Sequence, residues 1–230
     1  LSAETSEGGL YEVDMRLRPS GGAGPVAVSI SAFDRYQHDS AWTWELMALT
    51  RLRPVAGDAG LGDRILDISR DAIAHGKSAS ERTIDILDMR NRLMRERPAR
   101  GDWDLKLANG GLVDLEFILQ HAMLTAGETS AISSAIPDAI QRLQTAGKLS
   151  SEDGETIAAS FRFLQSLQQV QRLATGADLS HESFSSSLRD RLCRATAQPS
   201  FEALTERLQE VFATVAALRC KKIGPLATES

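Results

Sequence analysis

The stretch YEVDMRLRPSGGAGP (residues 11–25) decides how the front of this 230-residue chain is read. With a period of two, Tyr11, Val13, Met15 and Leu17 fall on one side and Glu12, Asp14, Arg16 and Arg18 on the other. The pattern predicts a strand with one core face and one fully ionised face. Pro19 and the glycine-rich loop behind it end that strand, because proline removes a ladder donor and glycine accepts backbone angles closed to other residues. Residues 26–30 then read as a returning strand.

An acid between arginines on one strand face has two readings. One is a solvated sheet face with cross-strand ion pairs, each contributing about 1 kcal/mol or less. The other is a site that holds a divalent metal through Asp14 and polyphosphate oxygens through Arg16 and Arg18. Carboxylate oxygens suit magnesium, and guanidinium forks match phosphate geometry. Arg16 and Arg18 would stand about 7 Å apart along the strand, able to grip different oxygens.

Working outward, Ser31 is expected to cap a short helix and Ser40 a second one carrying Trp42, Glu45, Met47 and Leu49. Trp42 and Trp44 diverge around that helix, and both are expected in the core; the alternative is a wedge between domains or a cleft wall. Residues 50–55 alternate again and predict a third strand with Arg51 and Arg53 on one face. Beyond the turn at residues 57–60 strand signals stop. Ile65, Leu66, Ala72 and Ile73 keep helical spacing, and Ser78-Ala79-Ser80-Glu81 is a capping box for a helix with Ile84, Leu87, Asn91 and Met94 along one side.

A polar loop over residues 97–104 leads to Gly110-Gly111, which opens a helix burying Leu115, Ile118, Leu119 and Met123. Lys106 beside that glycine pair offers a second anion site, since a helix start presents amides and a favourable dipole; a plain helix start is the competing reading. Asp114 and Glu116 diverge by roughly 200° on the same helix and cannot pair as carboxylates. Pro137 suits a first helical turn and Gly147 a helix end. Ser151 is expected to cap a long helix through Ile157, Phe161, Leu164, Leu167, Val170 and Leu173, ended by Gly176. Two more follow, one marked by Phe184, Leu188 and Leu192, the other from about Ser200 to Lys221 and Lys222. The fold class is therefore mainly α: an antiparallel helical bundle over residues 58–230, preceded over residues 1–57 by a truncated α+β remnant with two or three strands.

A 42% hydrophobic content supports a real core, and a net charge of −5 argues against nucleic-acid binding. Cys193 and Cys220 show no metal-ligand spacing and read as reduced thiols. His38, His75, His121 and His181 are scattered, each structural or exposed. No apolar run reaches membrane-span length and no signal-peptide layout is present, so the cytoplasm is the expected location.

Three motifs in order, Gly9-Leu10-Tyr11-Glu12-Val13-Asp14-Met15-Arg16-Leu17-Arg18-Pro19, Ala41-Trp42-Thr43-Trp44-Glu45 and Gly110-Gly111-Leu112-Val113-Asp114-Leu115-Glu116-Phe117, resemble the glutamine synthetase adenylyltransferase family, in particular its C-terminal adenylylating half. The resemblance implies AMP transfer from ATP to a tyrosine of glutamine synthetase, with Mg2+ as cofactor and PII signalling protein and glutamine as regulators. It implies that Asp14 is a catalytic metal ligand, matching the third carboxylate of the family's site. The family's upstream Gly-Ser-x-x-Asp-x-Asp motif does not occur here. The chain is therefore expected to be a fragment that starts inside the catalytic domain and is inactive alone. The alternatives that stay open are a helical docking module without chemistry, and the deadenylylating half of the same family or a relative that modifies PII.

Overall fold

The computed structural model describes residues 18–127, 129–133, 135–174 and 184–227. Its first feature is the glycine loop. Gly21 donates its amide to the Arg18 carbonyl at 2.8 Å, a 3-10 turn covers Gly21–Ala23, and Arg18 turns back so that Nε and Nη2 reach the Gly24 carbonyl at 3.3 and 3.2 Å. A side chain at position 24 would collide with the Pro19 carbonyl, 2.2 Å from an added Cβ.

Helices account for all the regular structure that follows, and no strand occurs among the described residues. The strand expected over residues 11–17 lies outside them. Residues 26–30 are not a strand: Val26 and Val28 are exposed, and Ser29, rather than Ser31, accepts from the Ala32 amide to start α1 (Ile30–Asp39). Helix α2 (Thr43–Leu49) begins after Trp42, whose amide donates to Glu45 Oε2 at 2.9 Å. The third expected strand, residues 50–55, is also absent. Thr50, Arg51 and Leu52 donate their amides to Met47, Ala48 and Leu49, continuing the helix as turns in place of a ladder.

Helix α3 (Ala59–Ala74) is capped by Asp58, and α4 (Ala79–Glu96) by the expected box, Ser78 receiving the Glu81 amide and Glu81 the Ser78 amide. Next come α5 (Leu112–Ala126), α6 (Ile136–Thr145) with Pro137 in its first turn, α7 (Ser151–Ala174), α8 (Ser186–Ala195) and α9 (Phe201–Lys222). The cap of α7 is Ser150, one residue before the expected Ser151, through its Oγ to the Asp153 amide. Gly176 lies outside the described residues. Gly147, at φ 69°, ends α6 as expected.

Helix α5 is the centre of the bundle, packing on α2, α3, α4, α6, α7 and α9. It is apolar nearly all round, as a central helix must be. Leu115, Ile118, Leu119 and Met123 are all buried. On α4 the buried stripe is not the expected one: Ile84 is exposed, and Arg82, Ile86 and Arg90, spaced by four, face inward. On α7, Leu173, expected in the buried stripe, is exposed. The loop over residues 97–104 is less polar than its composition suggests, since Trp103 is fully buried, stacked on Phe201 at 5.2 Å with Phe184 edge-on at 5.3 Å.

Candidate functional site

At the start of α5 the glycine pair serves packing. Gly110 has φ 84°, and an added Cβ would stand 1.9 Å from the Phe212 carbonyl of α9; one at Gly111 would meet the Leu105 carbonyl at 2.9 Å. The amides that could have met an anion are engaged within the chain. Gly110 donates to Asp114 Oδ2 at 2.6 Å, Gly111 to the Ala108 carbonyl, Leu112 to Leu105, and Val113 to the carbonyl of Lys106. Lys106 itself is exposed on the loop.

Asp114 is completely buried. Arg90 grips it from α4 with Nε at 2.8 Å and Nη2 at 3.3 Å, and Arg219 approaches from α9 with Nε 3.5 Å from Oδ1. Arg219 also donates to the Gly224 carbonyl and to Asn109 Oδ1, at 2.7 and 3.1 Å. Two guanidinia and one amide thus converge on a single carboxylate. Asp114 has no oxygen left for a metal, so the cluster reads as a lock joining α4, α5 and α9. Glu116 points elsewhere, to Arg51 at 3.1 Å, which agrees with the divergence expected from helix geometry. Nothing in the sequence marks Arg90 and Arg219 as the partners of Asp114, since they lie on other helices.

The opening on the other side of α5 is built differently. Trp42 and Trp44, expected in the core, are exposed by 68% and 40%. Met47, one turn on, takes the buried position instead, at 2% exposure. The indoles border two adjoining cavities that share Trp44 and Met89. The smaller, about 170 Å³, has Trp42, Asp85 and Arg92 on its walls; the larger, about 590 Å³, has Leu52, Arg53, Glu116 and Phe117. Burial pushes the carboxyl of Asp85 on the wall upward, but Lys77 at 2.5 Å and the Thr43 hydroxyl together outweigh it and hold it below the usual range. The result is an apolar groove with ion pairs along its rim, large enough for a small ligand or a protein segment.

Of the residues singled out in the sequence, Asp14 and Arg16 lie outside the described residues. Arg18 is described and closes the glycine loop. Lys106 is not brought next to Arg18 by any contact described. His38 and His75 are exposed, each paired with Asp71, His38 at 2.9 Å and His75 at 3.0 Å; His121 is half-buried against the Thr83 hydroxyl, and burial, followed by the charge of Lys222, lowers its pKa. His181 is outside the described residues. Cys193 and Cys220 are free. Among the described residues no group of three or more His, Cys, Asp or Glu side chains could hold a metal, and no helix is long and apolar enough to cross a membrane.

Comparison with known proteins bears on both ends of the chain. Residues 1–68 match the family described as glutamate-ammonia ligase adenylyltransferase, and residues 81–221 the family described as GlnD PII-uridylyltransferase. The chain is 40% identical over 227 residues to the bifunctional glutamine synthetase adenylyltransferase/adenylyl-removing enzyme of Brucella suis, a match that takes in 97% of this chain and 23% of that enzyme. It is 40% identical over 209 residues to the enzyme of the same name in Agrobacterium fabrum, covering 89% of the chain and 21% of that protein. The chain thus spans about a quarter of the length of the curated relatives it matches.

Proposed function

Since the chain belongs to the glutamate-ammonia ligase adenylyltransferase family, we propose that the protein carrying it transfers AMP from ATP to a tyrosine of glutamine synthetase, and that these residues form the end of its nucleotidyltransferase domain (1–57) and the helical domain beside it (58–230). The observation that carries this reading is the identity to bifunctional enzymes along nearly the whole chain, with Asp14 inside the part that matches the adenylyltransferase family. The wording of the motifs favours addition of AMP. Removal of adenylyl groups is the second reading, and the names of the relatives include both activities.

In this proposal Asp14 binds magnesium, and Arg16, Arg18 and Lys106 take phosphate or substrate oxygens. The donor chemistry fits: an ionised carboxylate suits Mg2+, whereas Asp114, the buried acid of the third motif, is saturated by Arg90, Arg219 and Gly110. Magnesium, when bound, would neutralise triphosphate charge. Arg18 would need to leave the Gly24 carbonyl to reach a phosphate, a small exchange because that bond is only part-buried. PII protein and glutamine are the proposed regulators, a reading supported by the match of residues 81–221 to the PII-uridylyltransferase family. The cytoplasm is the proposed location.

The test uses the whole enzyme. Asp14→Asn keeps the volume and removes the charge, so turnover with labelled ATP and glutamine synthetase should fall by orders of magnitude while the melting temperature stays put. Near-normal turnover would leave helical docking as the chain's role. The 230-residue chain alone should show no transfer, because one carboxylate cannot replace the family's set.

A further inference from the structure

Helix α4 shows two faces. Arg82, Ile86 and Arg90 point into the bundle. Ile84, Asp88, Arg92 and Arg95 are exposed, and at 100° per residue they fall within about 80° of one another on the far side. Asp88 and Arg92 also stand on the wall of the smaller cavity, with Trp44 and Met89. The charged stripe of α4 and the tryptophan groove are therefore one surface. Apolar surface of this kind, rimmed by polar residues, marks a place of contact.

The order of charges along the stripe points to what covers it. The acids, Asp85 and Asp88, come first and the arginines, Arg92 and Arg95, come last. Asp85 is already met by Lys77. Asp88 and Arg92 have no ion-pair partner among the described residues. A partner of a single sign would satisfy one end of the stripe and be repelled by the other. A second stripe of the same sequence, laid against it in the opposite direction, sets acid against arginine at both ends. Laid in the same direction, it would set Asp88 against Asp88.

We propose that the occupant of this surface is a second copy of the chain, with the two α4 helices antiparallel across a two-fold axis level with Arg90. Asp88 of each copy then faces Arg92 of the other, and Arg95 comes near Asp85. The two-fold makes each contact twice. Trp44 and Met89 lie beside these pairs and form the apolar centre, the indole of one copy entering the larger cavity of the other, about 590 Å³. Aromatic residues, methionine and arginine are the side chains in which such centres are enriched. Trp42, the more exposed indole, stands at the rim, where truncation costs little.

The experiment uses the full 230-residue chain under reducing conditions, because Cys220 is exposed. Molar mass is followed by light scattering over a concentration series. The wild type should rise to twice the mass of one chain. Asp88→Arg and Arg92→Asp each put like charges opposite one another twice per dimer, so each variant alone should stay monomeric while keeping its helical circular dichroism. Mixed in equal amounts, the two variants should recover the doubled mass, because the acids of one then face the arginines of the other. A wild type that stays monomeric throughout the series overturns the proposal and leaves the groove to a different protein. A dimer that survives either reversal, or a mixture that stays monomeric, overturns it as well. Where a reversal loses the helical signal, Asp88→Asn combined with Arg92→Gln removes both charges without repulsion. Its dimer dissociation constant should then rise about tenfold, and an unchanged constant overturns the proposal.

Discussion

The first turn of α5 and the outer face of α2 invert each other. At α5 an aspartate and two arginines, none more than 2% exposed in its side chain, sit where apolar residues are expected. At the start of α2 two indoles, the largest apolar side chains available, stand 68% and 40% exposed. The difference lies in partners. Asp114 is met by Arg90, Arg219 and the Gly110 amide, so its charge is fully compensated inside the fold. The indoles have no such set of charged partners and instead line the two cavities beside α2. A buried ion is tolerated only where its partners are buried with it, and an exposed aromatic carries no such requirement.

Breaking the first side of that comparison should give the largest effect. Asp114→Ala leaves two guanidinia buried without their acceptor, and urea unfolding should show a loss of about 3–5 kcal/mol. A loss below about 1 kcal/mol would mean that the lock is ornamental and the contrast false. Gly110→Ala should come next, at about 1–3 kcal/mol, because the new methyl group meets the α9 backbone at Phe212 and the residue sits at φ 84°.

A smaller effect is expected from His38, which joins α1 to α3 through Asp71. Its pKa is raised, first by donation to the Asp34 carbonyl, with burial opposing and Asp71 adding to the rise. The folded value therefore lies above the unfolded one, near 6.5. The stabilisation is full below about pH 6.5 and fades as pH rises through the folded value, and at this partly exposed pair it should be about 1 kcal/mol or less. Melting curves of the wild type and His38→Gln from about pH 5 to about pH 8 should differ at the acid end and converge at the alkaline end. The smallest effect is reserved for Trp42→Ala, which should change stability by no more than about 0.5 kcal/mol. A larger loss by calorimetry would show that this indole supports the fold, and the second half of the comparison would fail.

The helices were legible because their signals are local. The Ser78 to Glu81 box, the Pro137 start, the Gly147 stop and the apolar run of α5 each occupy a few consecutive residues, and each appears where read. The strands over residues 26–30 and 50–55 were misread for the complementary reason: alternation is only half of a strand, and among the described residues no neighbour supplies the other half of the ladder. Val26 and Val28 are exposed, and Thr50 bonds back to Met47. The buried arginines were invisible because an arginine is recognised as internal only through its acceptors, and Arg90 finds Asp114 across 24 residues. The tryptophans were placed inside by residue type alone. Hydrophobicity alone does not report whether a given side chain is buried. For the candidate site, Asp14 and Arg16 lie outside the described residues, and the groove beside α2 depends on α2, α4 and α5 packing together, which no local signal announces.

Arg82 carries one more consequence. Its guanidinium donates to the carbonyls of Ile73 and His75 at the end of α3 and to that of Leu124 near the end of α5, with Nη1 to Ile73 at 2.6 Å. One planar ion therefore closes two helix termini at once, where separate caps would have let each terminus fray by itself. Opening either terminus strands a desolvated cation, so the two should open in one concerted event, and slow hydrogen exchange should report a shared opening free energy for the last turns of both helices. Lysine at this position would keep the charge yet lose the planar fork of donors that spans three acceptors. The two termini would then part company, each exchanging at its own rate.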